Sequence, residues 1–306
     1  MISCSRSRGG LHRVGSCASA VRRRSGRQRG TVGTACSSDE ERERYANKLA
    51  AIGDDFDGNL LRDISQLGLG KRRGAYNLKS TSMRRRYACS ASLVAAMLTE
   101  KDPLPALELS LPEVALAGRS NSGKSSLLNA LCGVNPQYGS APTSDTPGWT
   151  KSIHFFELTA PHALEYPLML LVDLPGYGRT SSATLPRAKH TWARMTRKYL
   201  RGREPLLSVF ILIECTVGVS ADDHAFMQQL DEMKQAFNVV LTKADLLPPV
   251  QLAQSYFAVH AAISKYASYA GGDIPMCSSK NAAGIFELWT RMCIGLELTK
   301  DAHERT

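Results

Sequence analysis

Long apolar runs are absent from this 306-residue sequence: nowhere do about 18 uninterrupted apolar residues occur, which excludes a membrane-spanning helix. Paired cysteines are absent as well. The eight cysteines, at 4, 17, 36, 89, 132, 215, 277 and 293, never form C-x-x-C; three lie in a basic leader and several others sit beside apolar residues. That spacing supports neither a zinc site nor a disulfide framework, and buried reduced thiols are expected instead. The seven histidines contain no H-E-x-x-H, which removes the zinc-protease arrangement. No internal repeat with a period of about 20–50 residues occurs, so solenoids and propellers are not supported.

Acids are missing from two whole segments. Residues 1–38 hold eight arginines and no acid, and residues 64–99 hold seven bases and no acid. Between them, residues 39–63 carry four bases and eight acids, while the remaining 207 residues carry 19 bases and 20 acids. The formal net charge of +10 therefore resides outside the main body. An acid-free leader rich in Arg, Ser and Gly cannot bury a core, and its composition is that of an organellar transit peptide. It lacks the apolar run of about seven residues that a secretory signal needs. A nucleic-acid-binding arm is the other reading of the same charge. We expect residues 1–38 to address the chain to the mitochondrial matrix, with the plastid as the alternative. Residues 39–86 join an acidic, helix-forming stretch, Asp39 to Ala50, to a Gly-rich basic tract, Gly68 to Arg86. They are expected to form a flexible extension whose basic tract either touches RNA phosphates or is simply solvated.

From about residue 87 short apolar runs appear, at Val114–Ala117, Ile153–Leu158, Leu168–Val172, Leu206–Ile213 and Val239–Leu241, with a weaker one at Ile274–Cys277. Segments with helical spacing separate most of them: Lys124–Leu131, Pro186–Leu200, Ala221–Lys234, Val250–Tyr269 and Ala283–Leu298. This alternation predicts an α/β domain over 87–306, a mainly parallel six-stranded sheet flanked by helices. Ligands in such folds bind at the carboxyl ends of the strands.

The first run is followed by Gly118, Arg119, Ser120, Asn121, Ser122, Gly123, Lys124 and Ser125, a G-x-x-x-x-G-K-S phosphate loop opening a helix, with Ser126 next in line. Its glycines let backbone N–H groups wrap phosphate oxygens. Lys124 adds a point charge toward the β- and γ-phosphates, the Ser125 hydroxyl is a Mg²⁺ ligand, and the helix dipole favours the anion. The third run ends in Asp173-Leu-Pro-Gly176-Tyr-Gly178. Asp173 can hold Mg²⁺ through water, and the Gly176 N–H can sense a γ-phosphate. By itself this is a turn signal; on an adjacent strand after a phosphate loop it is a partner to that loop. The fifth run ends in Thr242-Lys243-Ala244-Asp245. A carboxylate there accepts both guanine N1–H and N2–H, a donor pair that adenine lacks, while the Lys243 stem can lie along the base. After the last run, Cys277-Ser278-Ser279-Lys280 offers a backbone N–H to guanine O6.

Together these motifs resemble the G domain of translation-factor-related GTPases. More narrowly, P-E-V-A-L-A-G-R-S-N-S-G-K-S-S-L-L-N-A-L (112–131), T-P-G-W-T (146–150), D-L-P-G-Y-G (173–178) and L-T-K-A-D (241–245) resemble the EngB/YihA family of ribosome-biogenesis GTPases. The spacing of Trp192, Tyr199, Leu200 and Arg203 fits that family too, and the resemblance covers about residues 100–298. It implies a P-loop GTPase G domain that binds and hydrolyses GTP with Mg²⁺, with catalytic roles for Lys124, Thr150 and Gly176. Thr150 would be the switch I threonine that joins Ser125 on the metal; Thr143 and Thr146 in the same polar loop are its rivals. Tyr177 stands where many GTPases carry a water-orienting Gln, which implies slow intrinsic turnover. Asn121 matches a potassium-contacting residue of related GTPases, which makes K⁺ a further ligand. The family tends to have Asn where His154 stands and Asp-x-Arg where Glu214-Cys-Thr216 stands. These departures put family-specific surface contacts in question and leave the nucleotide site intact.

The function implied is a GTP-driven switch in assembly of an organellar large ribosomal subunit, with rRNA and ribosomal proteins as partners of a monomer. A placeholder that binds GTP without meaningful turnover is one alternative. An ATP-dependent P-loop enzyme is another, and Asp245 speaks against it. Between Asp173 and Glu204 lie eight bases and no acid, and Arg187, Arg194, Lys198 and Arg201 can share one helical face with Arg197 beside them. With Trp192, Met195 and Tyr199 packed on the sheet, that face is expected to dock on an anionic particle.

Overall fold

Residues 38–53, 58–70, 89–106, 111–132, 152–159, 167–178 and 186–303 are described by a computed structural model; for 186–192 and 295–303 the description is of the backbone. Along the chain run α1 (Ser38–Ala50), α2 (Gly58–Gln66), β1 (Ser90–Met97), β2 (Glu113–Gly118), α3 (Lys124–Leu131), β3 (Ile153–Thr159) and β4 (Met169–Asp173). Then follow α4 (Pro186–Leu200), β5 (Leu206–Glu214), α5 (Ala221–Glu232), β6 (Phe237–Thr242), α6 (Pro249–Ile263) and α7 (Ile285–His303).

The strands form one six-stranded sheet in the order β1-β3-β4-β2-β5-β6. The pairs β4–β2, β2–β5 and β5–β6 are parallel, while β1–β3 and β3–β4 are antiparallel. Every residue of β2, β4 and β6 is buried, as expected of strands covered on both faces. Alternation divides their side chains between two apolar layers. Ala115, Val172, Ile211 and Leu241 join one with Met195, Tyr199, Met227 and Leu252; Leu116, Leu171, Leu212 and Val240 join the other with Leu127, Leu131, Ile285 and Leu288. Truncating a fully buried leucine such as Leu116 to Ala in either layer costs about 2–5 kcal/mol.

Two expectations change. The sixth strand is β1, not Ile274–Cys277. Around Met276 the chain makes only an isolated parallel bridge to Leu241, through Leu241 N–H to Pro275 O (2.9 Å) and Cys277 N–H to Leu241 O (2.8 Å). Pro275 has no N–H to extend the ladder, and the chain turns at Ser278, whose N–H goes to Ala283 O at 2.9 Å.

The extension 39–86, expected to be flexible, contains two helices packed on the body. On α1, Tyr45 and Leu49 are buried four residues apart, and the Tyr45 hydroxyl lies 3.1 Å from Ser255 Oγ. Beyond its end, Ile52 O accepts from Gln254 Nε2 at 2.8 Å. Ile64 of α2 and Leu69 just after it are fully buried, and Gly70 N–H donates to Ala244 O at 3.0 Å. The physical reason is an apolar stripe one side chain wide, enough to bury against α6 though too sparse to stand out in an acidic stretch. Residues 1–37, 54–57 and 71–88 lie outside the described residues. Among those described the cysteines are free thiols: Cys89, Cys215 and Cys277 are buried, and burial pushes the Cys89 and Cys277 thiols up to about 12. No described helix is long and apolar enough to cross a membrane.

Candidate nucleotide-binding site

Strands β2, β4 and β6 run in the same direction, and a motif leaves the carboxyl end of each. From β2 the chain enters the phosphate loop through Gly118 (φ 152°), where a Cβ would stand 2.5 Å from the Ser122 hydroxyl and 2.8 Å from Leu212 O. Asn121 (φ 67°) and Gly123 (φ 101°) both take left-handed backbone, curling the loop into the first turn of α3. Gly123 gives α3 no side-chain cap, so its leading N–H groups are left for a ligand. Ser125 sits half-buried in that turn and Ser126 is exposed.

Lys124 is buried and folds back, its Nζ donating to Gly118 O (3.2 Å) and Arg119 O (3.3 Å). Burial pulls its pKa down, opposed by the charge of Asp173. At the end of β4, burial pushes the Asp173 carboxyl up to about 6, with Lys124 opposing. Asp173 Oδ1 and Ser122 Oγ find no hydrogen-bond partner among the described residues. A buried carboxylate with unmet acceptor capacity beside a serine-led helix start fits a hydrated divalent cation that takes its other ligands from phosphate oxygens. Gly176 lies against the loop: a Cβ would stand 2.9 Å from Ser120 N and 3.1 Å from Lys124 Nζ. Ser120 N–H donates to Tyr177 O (3.1 Å) and Tyr177 N–H to Gly118 O (3.2 Å), joining the two motifs.

The Tyr177 ring turns into the core. It stacks on Phe226 at 4.9 Å between centroids, and its hydroxyl donates to Asp223 Oδ1 at 2.8 Å. Asp223 is also the acid of the capping box that starts α5, its Oδ2 accepting from Ser220 N–H at 2.8 Å. Tyr177, expected at the place of a water-orienting Gln, is therefore a packing residue.

On the base side, Thr242 Oγ1 donates to Ser122 O at 2.7 Å and ties β6 to the phosphate loop. Lys243 (φ 58°) stretches its amine to Glu214 Oε2 at 2.6 Å. Asp245 is buried and accepts from the Ser278 hydroxyl at 2.6 Å. A cavity of about 330 Å³ is lined by Gly123, Ser126, Thr242, Lys243, Asp245, Leu246, Ser279 and Lys280, a size suited to one small ligand.

Most of the expected residues converge here, with one correction. Ser278 cannot offer its N–H to a base, because that group is bonded to Ala283 O and its hydroxyl to Asp245. It orients Asp245, leaving Ser279 and Lys280 on the cavity wall. Thr143, Thr146 and Thr150 lie outside the described residues. Glu214 was not anticipated. Holding it below the ordinary carboxylate range against burial are Lys243, the Thr216 hydroxyl and Arg42. Its place at the carboxyl end of β5 was the available signal.

The basic face of α4 is also revised. Acids absent from that stretch of sequence arrive from elsewhere: Arg194 pairs with Glu100 at 2.8 Å, and Lys198 donates to Glu100 O (2.9 Å) and Asp102 O (2.7 Å). Arg203 pairs with the fully buried Glu113, which also accepts from Tyr199 at 2.9 Å. Arg197 and Arg201 are exposed, and the Arg187, Lys189 and Trp192 side chains lie outside the described set.

Residues 113–243 match the family model of the 50S ribosome-binding GTPases. The chain is 41% identical over 177 residues to the probable GTP-binding protein EngB of Rhodopseudomonas palustris (strain BisA53), covering 58% of this chain and 76% of that protein. To the corresponding protein of Rhodospirillum rubrum it is 42% identical over 185 residues, covering 60% and 75% respectively. A crystal structure of a probable GTP-binding protein engB superimposes with a TM-score of 0.47 at 18% identity, covering 60% of this chain and 98% of its own.

Proposed function

Since the chain belongs to the EngB family of GTP-binding proteins, we propose that it hydrolyses GTP as a switch in assembly of the large ribosomal subunit of an organelle. The observation that carries this reading is the gathering of three motifs at the carboxyl ends of β2, β4 and β6: Asp173–Gly176 packs on the phosphate loop, and a cavity is lined by Gly123 and Ser126 on one side and by Thr242, Lys243 and Asp245 on the other, with Asp245 oriented by Ser278. The buried Asp245 carboxylate selects guanine, because adenine would leave it facing an acceptor.

Phosphoryl transfer depends on positioning and charge neutralisation rather than covalent chemistry. Lys124, released from Gly118 O and Arg119 O, exchanges two carbonyls for phosphate oxygens. Gly176, packed on Ser120, brings backbone close to the terminal phosphate. Mg²⁺ held by Ser125 and Thr150, with Asp173 beyond its water shell, would supply charge neutralisation on the phosphates. Asn121, exposed in its left-handed turn, would add K⁺. With Tyr177 turned into the core, intrinsic turnover is slow and the particle supplies what orients the water.

The test is multiple-turnover phosphate release from GTP, in K⁺ and in Na⁺, with and without large-subunit precursors. Slow turnover that rises at least tenfold with particles, more in K⁺, is expected. Stoichiometric GTP binding with no turnover in any arm would replace the switch by a placeholder. We further propose that residues 1–38 direct import into mitochondria. A chain lacking them should stay in the cytosol and still bind GTP; mitochondrial uptake of the truncated chain would refute the assignment.

A further inference from the structure

Helix α1 lies outside the stretch that matches the GTPase family model, yet it touches the nucleotide site at two points. Glu41 Oε2 accepts from Arg119 Nη2, in the second position of the phosphate loop, at 2.9 Å. One residue on, Arg42 Nη2 donates to Glu214 Oε1 at 3.0 Å, and Glu214 Oε2 in turn accepts from Lys243 Nζ at 2.6 Å. A single turn of α1 therefore reaches the phosphate loop directly and, through Glu214, the Lys243 side of the cavity.

The helix is anchored for that purpose. The Tyr45 hydroxyl lies 3.1 Å from Ser255 Oγ, which donates to Cys215 O (2.9 Å), the residue after Glu214. The Tyr45 ring fills the space above Gly218 that any side chain there would need, and Leu49 is buried one turn on. Arg119 is hemmed in on its other side: the site of a Cβ on Gly178 is 3.7 Å from its Cγ and Nε and 3.0 Å from Asp222 Oδ2. Burial works against the Arg119 charge, and Glu41, by hydrogen bond and by charge, together with Asp223 and Asp222 more than offsets it. An arginine pinned in this way stiffens the loop at its junction with Gly178.

We propose that Glu41 and Arg42 are positioning residues for the bound guanine nucleotide: α1 clasps Arg119 and, through Glu214, Lys243, and so slows nucleotide release. This rests on the guanine-nucleotide reading above. Lys243 needs a fixed stem to lie along a base, and Glu214 fixes the amine at its end; Arg42 keeps Glu214 aimed. A partly exposed ion pair of this kind is worth roughly twofold to fivefold in a rate constant, and the two together roughly fivefold to tenfold.

The experiment is stopped-flow release of mant-GDP from the full chain, comparing wild type with Glu41→Ala/Arg42→Ala, Arg42→Ala, Arg42→Lys, Glu214→Gln and Arg42→Ala/Glu214→Gln. Asn47→Ala, exposed on α1 and neither three nor four residues from Glu41 or Arg42, is the control. Release should quicken about fivefold to tenfold in the first variant and hardly in the control, and Arg42→Lys should recover part of the loss. Arg42→Ala should add little once Glu214 is Gln, a coupling that mere loss of helix stability would not produce. Thermal melts of each variant without nucleotide report folding separately. Unchanged release in Glu41→Ala/Arg42→Ala, or full additivity of Arg42→Ala with Glu214→Gln, overturns the clasp. Failure of the wild-type chain to bind mant-GDP at all overturns the guanine-nucleotide reading instead.

Discussion

Asp173 carries a cost in the protein without nucleotide. Burial lifts its carboxyl from the ordinary 3.8 to about 6, so between those values the folded chain holds a proton that the unfolded chain has released. The stability contributed by that proton is complete below about pH 4 and is lost as the pH rises through about 6. At neutral pH the apo protein keeps a desolvated carboxylate, set against the buried Lys124, that a cation would relieve. Asp173→Asn should flatten this part of the pH profile, changing the wild-type-to-variant difference by up to about 3 kcal/mol, and should weaken Mg²⁺-dependent GTP binding. Thermal melts of both apo proteins from pH 4 to 7.5 measure it; parallel profiles would mean that the carboxylate is not desolvated as described. The placement of Asp173 and Asp245 at the site was legible, because it follows from their position at or just after a strand's end. Ser278, Glu214 and Glu41 were not, because their roles depend on partners 33, 29 and 78 residues away. Periodicity and motif spacing carry no information about contacts of that range.

At the scale of elements, the fully buried parallel strands were readable as apolar runs, and β1 was not. Its residues, Ser90–Met97, alternate imperfectly, expose Leu93 and Val94, and bulge between Leu93 and Ala95 against β3. An edge strand needs one good face only, and a bulge breaks even that period. Helix α4 was legible as a helix; the state of its charges was not. Arg194 and Lys198 hold the turn around Glu100–Asp102, whose Asp102 already caps Leu98 and Thr99 N–H groups at 2.7 and 2.8 Å. Reversing them would disturb the body as well as any docking. Arg197 and Arg201 are exposed and make the cleaner test. Arg197→Glu/Arg201→Glu should weaken co-sedimentation with large-subunit precursors about tenfold at fixed salt, reduce the salt slope by about 1–2, and leave GTP affinity intact. Normal sedimentation of this variant would place the docking surface elsewhere.

Across the whole molecule, chemistry gathers where β2, β4, β5 and β6 end, and the segments that looked peripheral do not all stay so. Residues 39–86 were expected to form a flexible extension, yet α1 and α2 bury Tyr45, Leu49 and Ile64, and α1 sets Glu41 and Arg42 against the nucleotide site. The formal charge of +10 is therefore a poor guide to the partners of the body, since residues 100–306 carry 19 bases and 20 acids. What the arrangement is for turns on Asp245. With the Ser278 hydroxyl donating to its Oδ1, an Asn at this position keeps its oxygen on Ser278 and presents its amide N–H₂ to the base edge. Nucleotide affinities of wild type and Asp245→Asn for GTP, ATP and XTP are the most direct test of guanine recognition. The wild type should prefer GTP strongly over ATP. The variant should lose about 1–3 kcal/mol of GTP affinity, roughly fivefold to a hundredfold, and gain XTP. Equal GTP affinity in the two proteins, or ATP competing as well as GTP in the wild type, would contradict a guanine-specific site.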